Sequence, residues 1–252
     1  MAFKQPLADL MRPTTLEQMV GQERLLAPGR PLYQIITEHL SVSLLLWGPP
    51  GSGKTTLAYV MSQTLQLPFE KFNASIQNKS QLQKLVDAHP DESFVLLLDE
   101  IHRLTKPLQD YLLPHLENGH ILLVGTTTEN PIMAIQPAIR SRSQIFEFYP
   151  ISAKEIEPVL IRAAKEHLGF TLTAEQAHAI ANSGSGNGDV RVSLNILDTL
   201  HAMHPTELTM KDIEDFARNQ HFAFDKDTTK HYDYLSAFQD SIEGSDADAA
   251  LY

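Results

Sequence analysis

An α/β fold with a mostly parallel sheet, followed by a small all-helical domain, is what this sequence predicts, on three observations. Five short apolar runs alternate with amphipathic, helix-like stretches up to about residue 150. A glycine-rich octapeptide lies between the first of these runs and a helix. Beyond residue 150 the apolar runs cease and only helical periodicity remains. Strands separated by helices require crossover connections, and those make neighbouring strands parallel.

The runs are Ser43–Trp47, Phe69–Phe72, Phe94–Leu98, Ile121–Thr126 and Ile145–Phe148. Thr56 to Leu65 reads as a helix, and so does Thr105 to Glu117, where Leu108, Leu112 and Leu116 recur at i, i+4 and i+8. Pro114 inside that helix removes a backbone bond and is expected to kink it. The pattern changes at Tyr149-Pro150-Ile151-Ser152. Four helices are predicted thereafter, over 152–168, 173–183, 188–203 and 209–219. Ser152 with Glu155 forms a capping box, and Thr173 with Gln176 and Thr209 with Asp212 are variants of it. Gly184, Gly186 and Gly188 place a loop between the second and third of these helices. The expected division is therefore 1–150 for a nucleotide-binding α/β domain, 151–222 for a helical lid and 223–252 for a linker with the start of a further helical domain. In that last part 225–231 is polar, while 232–252 regains helical periodicity and then stops abruptly.

Composition bounds the function. Apolar content of 42% and charged content of 20% are ordinary for a globular chain. No run of about 18 apolar residues occurs and the N-terminus lacks an apolar signal core, which argues against secretion or a membrane span. The absence of cysteine excludes disulfides, thiolate metal sites and a cysteine nucleophile, and fits a cytoplasmic protein. A net charge of −11 speaks against strong general affinity for DNA, which rests on Lys and Arg neutralising phosphates. It leaves room for a locally basic surface.

Chemistry is concentrated in Gly48-Pro49-Pro50-Gly51-Ser52-Gly53-Lys54-Thr55, with Thr56 opening the helix behind it. Its glycines let successive backbone N–H groups converge on one centre, and the helix N-terminus adds positive potential, so the loop suits polyphosphate. Lys54 is expected to reach the β- and γ-phosphates and the Thr55 hydroxyl to ligate Mg²⁺. The apolar strand ending in Asp99-Glu100 puts two carboxylates at the sheet edge where ligands bind. Asp99 would hold the Mg²⁺ water shell, and Glu100 would orient and activate the attacking water. The Thr-rich turn Gly125-Thr126-Thr127-Thr128-Glu129-Asn130-Pro131 offers groups that could position that water. Arg140 and Arg142 precede the last strand, and either could enter a neighbouring subunit's site as a trans-acting finger. Arg191, in Gly188-Asp189-Val190-Arg191, opens a helix where a cation is mildly unfavourable, which hints at a role on the γ-phosphate.

Together these residues resemble an AAA+ ATPase, and specifically the replication-associated recombination protein A family, related to the eukaryotic Werner helicase-interacting protein. The resembling segments are Pro6–Pro13, Val20–Glu23, Gly48–Thr55, Leu98–Arg103, Gly125–Pro131, Gly188–Asn195 and the tail Gly244–Tyr252. The resemblance implies a P-loop fold with sheet order 5-1-4-3-2 and a helical lid. It implies Thr128 as sensor 1, Arg142 as the arginine finger, Arg191 as sensor 2, and Val20, Gln22 and Arg12-Pro13 beside the adenine. The finger motif departs from the family in reading Ser141-Arg142-Ser143, without cysteine, and in placing Arg140 where an apolar residue is usual. Family members continue into a C-terminal oligomerisation domain, so this chain is expected to be a truncated form of a homo-oligomer.

The function implied is a DNA-dependent ATPase that hydrolyses ATP to ADP and phosphate in replication-fork maintenance, recombination and repair. Its cofactors would be ATP and Mg²⁺. Its partners would be DNA gaps, ends or forks and a single-stranded-DNA-binding protein, in the cytoplasm at the nucleoid. A clamp-loader subunit or a RuvB-like motor shares most of these motifs. A non-hydrolysing, ATP-gated recruitment module is the alternative from another class, and the complete hydrolytic set argues against it.

Overall fold

The five apolar runs become five parallel strands: β1 (Ser43–Trp47), β2 (Phe69–Asn73), β3 (Phe94–Asp99), β4 (Ile121–Thr127) and β5 (Ser143–Glu147). They lie side by side as β2-β3-β4-β1-β5, the expected order read from the opposite edge. This computed structural model describes residues 5–183, 188–205 and 207–224. The linker and further helix expected over 225–252, the tail motif at 244–252 and the loop residues 184–187 lie outside the described residues.

Side chains alternate across the sheet with period two, which divides the core into two layers. Leu44, Leu46, Val95 and Leu97 face one layer; Leu45, Leu96, Leu98 and Leu123 face the other. Because β3, β4 and most of β1 are buried on both faces, they read as unbroken apolar runs. β5 is an edge strand and begins two residues before its apolar run. Ser143 and Gln144 pair with Ser43 and Leu44 of β1, and an edge position tolerates their polarity. Phe148 N–H still donates to Trp47 O at 2.7 Å, carrying the pairing one residue past the strand.

Three short helices precede β1: α1 (Leu7–Leu10), α2 (Glu23–Leu26) and α3 (Pro31–Thr37). α4 (Lys54–Leu65) joins α3 on the first core layer through Leu57, Met61, Leu32 and Ile36. α5 (Lys79–Asp87) and α6 (Lys106–Glu117) cover the other face with Leu82, Leu108 and Leu112. Helix α6 runs through Pro114, which sits in its last turn, where Asn118 N–H closes back on the Pro114 carbonyl. α7 (Pro131–Ala134) and α8 (Pro137–Arg140) are single turns, each opened by proline at a position that needs no N–H.

The remaining helices are α9 (Ala153–Ala163), α10 (Ala174–Ala181), α11 (Val190–Met203) and α12 (Met210–Phe224). The capping boxes at Ser152 and Thr173 form as the sequence predicts, and Thr209 exchanges hydrogen bonds with Asp212. After Ala163 the first of these helices widens into a π turn over Ala164–Leu168 and ends at Gly169, φ +76. These helices gather their own core around Ile156, Leu160, Ile180, Leu197 and Leu200. Leu7 and Met11 insert into it, so α1 belongs by packing to the helical half although it precedes the sheet in sequence. No helix among the described residues is long and apolar enough to cross a membrane.

Candidate functional site

The loop between β1 and α4 is shaped by contacts that only glycine permits. Gly48 has φ +140, and a Cβ there would lie 2.1 Å from the Phe148 carbonyl oxygen. Gly51 has φ +71, and its Cβ would lie 1.9 Å from the carboxyl carbon of Asp189 on the helical half. Lys54 is the first residue of α4 and is buried. Its Nζ donates to the Gly48 carbonyl at 2.8 Å and to the Pro49 carbonyl at 2.6 Å. Burial lowers its pKa to about 8, and the Arg191 guanidinium pushes the same way, against Asp99, Glu100 and Asp189.

A cavity of about 310 Å³ opens on this loop, between sheet and helical half. Of the residues picked from the sequence, Pro50, Gly51, Gly53, Lys54, Thr55, Thr56, Val20, Asp99, Glu100, Thr128 and Arg191 line it, with Arg12 and Pro13 at its N-terminal side. Gly48, Pro49 and Ser52 complete the loop without lining the cavity; Ser52 Oγ donates back to the Pro49 carbonyl at 2.8 Å. Gln22 is also not a lining residue. Its amide donates to Tyr149 O at 2.6 Å and Ser52 O at 3.3 Å, and accepts from Tyr149 N–H at 3.1 Å. Its amide ties the N-terminal segment, the glycine loop and the end of the sheet together.

At the end of β3 the two carboxylates diverge. Asp99 accepts from Thr126 Oγ1 at 2.7 Å, and Lys71 Nζ of β2 stands 3.6 Å from its other oxygen. Glu100 adopts φ 55, a left-handed conformation that costs a residue with a Cβ about 1–3 kcal/mol and is found where surroundings enforce it. Beside it lies His102, whose imidazole meets Glu100, Glu129 and Thr127. On the helical half Asp189 caps α11, accepting from Arg191 N–H at 2.8 Å and Val192 N–H at 3.3 Å. The Arg191 guanidinium stands 3.3 Å from the same carboxylate while its exposed end enters the cavity.

Arg142 is not brought to this cavity. Its guanidinium pairs with Glu117 at the end of α6 and donates to the Ala138 carbonyl. It precedes Ser143, which is level with Ser43 at the opposite end of β1 from the loop. Five strand residues at about 3.3 Å each separate those ends. Arg140 is half-buried, and its Nε has no hydrogen-bond partner.

The donor set fits a nucleotide with Mg²⁺. A loop that takes its shape from glycines where a Cβ would collide with neighbouring groups, the Lys54 ammonium, and hard oxygen donors from Thr55 and Asp99 come together at one cavity. Sequence reading gave no role to Lys71, His102 or Asp189, and it offered Thr126 for the attacking water, not as the partner of Asp99. Lys71 and Thr126 meet Asp99 only through strand pairing. His102 stands in the Leu98–Arg103 segment, but its partners Thr127, on β4, and Glu129, on the turn after it, are 25 and 27 residues away in the chain.

Comparison with known proteins agrees with this geometry. Residues 44–151 match the family described as ATPase family associated with various cellular activities (AAA), and residues 165–243 match AAA C-terminal domain. The chain is 43% identical to replication-associated recombination protein A of Bacillus subtilis, over 98% of this chain and 61% of that protein. It is 35% identical to the protein of that name in Escherichia coli K12, over 98% of this chain and 59% of the other. It thus spans about 60% of the length of these relatives. In three dimensions it is similar to the Thermotoga maritima RuvB Holliday junction branch migration motor. The TM-score is 0.69 at 24% identity, covering 83% of this chain and 72% of the other, a likeness of fold.

Proposed function

We propose that this chain, which belongs to the AAA+ ATPases and, within them, to the replication-associated recombination protein A family, binds ATP at the β1–α4 loop and hydrolyses it to ADP and phosphate in a DNA-dependent manner. The observation that carries the reading is the convergence on one cavity of a glycine cradle, Lys54, the Asp99-Glu100 pair and Arg191. Phosphoryl transfer asks mainly for positioning and charge neutralisation, and this set supports both.

In this reading backbone N–H groups and Lys54 hold the β- and γ-phosphates. Binding pulls the Lys54 ammonium from the Gly48 and Pro49 carbonyls toward the phosphate, exchanging neutral acceptors for charged ones. Thr55 and Asp99 would hold Mg²⁺, which would supply charge neutralisation on the polyphosphate. Glu100 takes the proton of the attacking water, and Thr128 at the tip of β4 helps to orient it. Arg191 approaches the γ-phosphate from the helical half, which would make the seating of that half depend on the nucleotide. Val20 lies against the base. Arg142, at the wrong end of the sheet for its own cavity, serves a neighbouring copy, so full activity requires a homo-oligomer.

The nucleic-acid side rests on the family. The action proposed is at gaps, ends or forks during replication-associated recombination and repair, alongside a single-stranded-DNA-binding protein, in the cytoplasm at the nucleoid. The test is steady-state ATP hydrolysis with and without gapped or forked DNA, across protein concentration. A DNA-stimulated rate that rises more than linearly with concentration supports both the DNA role and a finger supplied in trans. Lys54→Ala should abolish nucleotide binding or turnover; an unchanged rate removes the site assignment. Glu100→Gln should bind ATP and not turn it over.

A further inference from the structure

We propose that His102 is the positioning residue for Glu100, holding the carboxylate by one ring nitrogen while β4 holds the imidazole by the other. The inference rests on the ATPase reading above and deepens it. Glu100 is strained at φ 55, so something must keep it there. His102 sits two residues on, in the 3₁₀ turn Ile101–Arg103, with its side chain 8% exposed. Its Nε2 lies 3.3 Å from Glu100 Oε2 and 3.4 Å from Glu129 Oε1. Its Nδ1 lies 2.9 Å from Thr127 Oγ1.

Hydrogen-bond chemistry selects one tautomer. Ionised carboxylates only accept, so Nε2 carries the proton. In the neutral ring Nδ1 is then a lone pair, and the Thr127 hydroxyl donates to it. That hydroxyl in turn accepts the Glu129 backbone N–H at 2.9 Å. Hydrogen bonds link the Glu129 backbone, Thr127 and His102 in this arrangement, and a charge contact joins His102 to Glu100. The opposite tautomer would set a lone pair against two carboxylates.

One ring nitrogen facing two carboxylates at near-equal charge-contact distance is a divided restraint. Glu129 is the more exposed of the two, at 59% against 35%, and sits on the turn after β4. It competes with Glu100 for the same ring nitrogen, so neutralising it leaves the Glu100 charge without that rival. β4 also carries Thr126 on Asp99 and leads into Thr128 in the cavity. A shift at the tip of β4 is thereby transmitted to the general base through a buried ring.

The test compares kcat and ATP affinity at protein concentrations where specific activity no longer rises. His102→Asn is too short to reach Glu100, and kcat should fall about 10- to 100-fold with ATP affinity unchanged, the cost of a displaced base. His102→Gln places an amide N–H where Nε2 was and should recover most of that loss. Thr127→Val should lower kcat in the same direction, and Glu129→Gln should leave it equal or higher. An unchanged kcat in His102→Asn, a parallel loss of affinity, or a Gln variant no better than Asn overturns the proposal. Imidazole ¹⁵N NMR reads the same geometry without turnover: His102 should be protonated at Nε2, and an Nδ1-protonated ring overturns the proposal. A parent chain that binds ATP but never hydrolyses it overturns the ATPase reading instead, and the NMR result then decides the His102 inference.

Discussion

Lys54 makes ATP binding a function of pH over a range well below the ordinary lysine value. Its pKa falls from the ordinary lysine value of 10.5 to about 8, because burial disfavours the ammonium and Arg191 adds a like charge. With a midpoint there, about nine-tenths of the side chain is protonated at pH 7 and about one-tenth at pH 9. If only the ammonium holds the γ-phosphate, the Kd for ATP should rise about tenfold across that interval. Binding at pH 8 should draw in about half a proton, because the bound phosphate restores the charge. Calorimetric titration of ATP at pH 7, 8 and 9, in buffers of different ionisation enthalpy, measures both quantities. Arg191→Ala removes the second cause of depression and should move the break to higher pH. A flat Kd in the parent chain, or the same slope in Lys54→Met, refutes the reasoning. The stability consequence has a definite direction. Between about 8 and 10.5 the unfolded chain binds this proton more tightly than the folded one, so this residue's contribution to stability improves as pH rises through that window.

Three other perturbations test the framework around the site. Gly48→Ala should cost about 2–4 kcal/mol in denaturant unfolding, since its Cβ would meet the Phe148 carbonyl at 2.1 Å in a backbone conformation that already disfavours alanine. A loss within about 0.5 kcal/mol would show that the loop relaxes freely. Asp189→Ala removes the acceptor for two N–H groups at the start of α11 and should cost about 0.5–2 kcal/mol by the same measurement. Far from the cavity, His89 is held between Glu92 and Glu70, and the hydrogen bond to Glu92 raises its pKa above 6.5. That contribution is complete below pH 6.5 and is lost as pH rises through the raised value. The thermal midpoint should therefore decline above pH 6.5, and the decline should be shallower in Glu92→Gln.

Much of the molecule was legible in the linear chain because its signals are local. A strand buried on both faces must be apolar along its length, so β1, β3 and β4 announce themselves, and β3 delivers its two carboxylates to the sheet edge. The glycine loop is equally local: eight consecutive residues contain the cradle, the lysine and the hydroxyl. The capping boxes at Ser152 and Thr173 need only side chains three residues apart. The polar start of β5 was hidden, since its strand character comes from pairing with β1 at the sheet edge, not from its own composition.

What tertiary structure alone decided is which distant groups meet at the site. The family resemblance implies Gln22 beside the adenine, and only the fold shows that its amide bonds to backbone 127 residues away at Tyr149. Leu7 and Met11 precede the sheet but complete the helical core, because the chain's crossing path brings α1 onto α11. Asp189 reaches Gly51 across the gap between the two halves, and His102 reaches Thr127 across two strands. Hydrogen bonds and charge contacts act over a few ångströms, and only the folding of separate segments onto one another brings those atoms that close. The residue types that perform the chemistry were thus written in sequence, while the shell that aims them is a property of the packed chain.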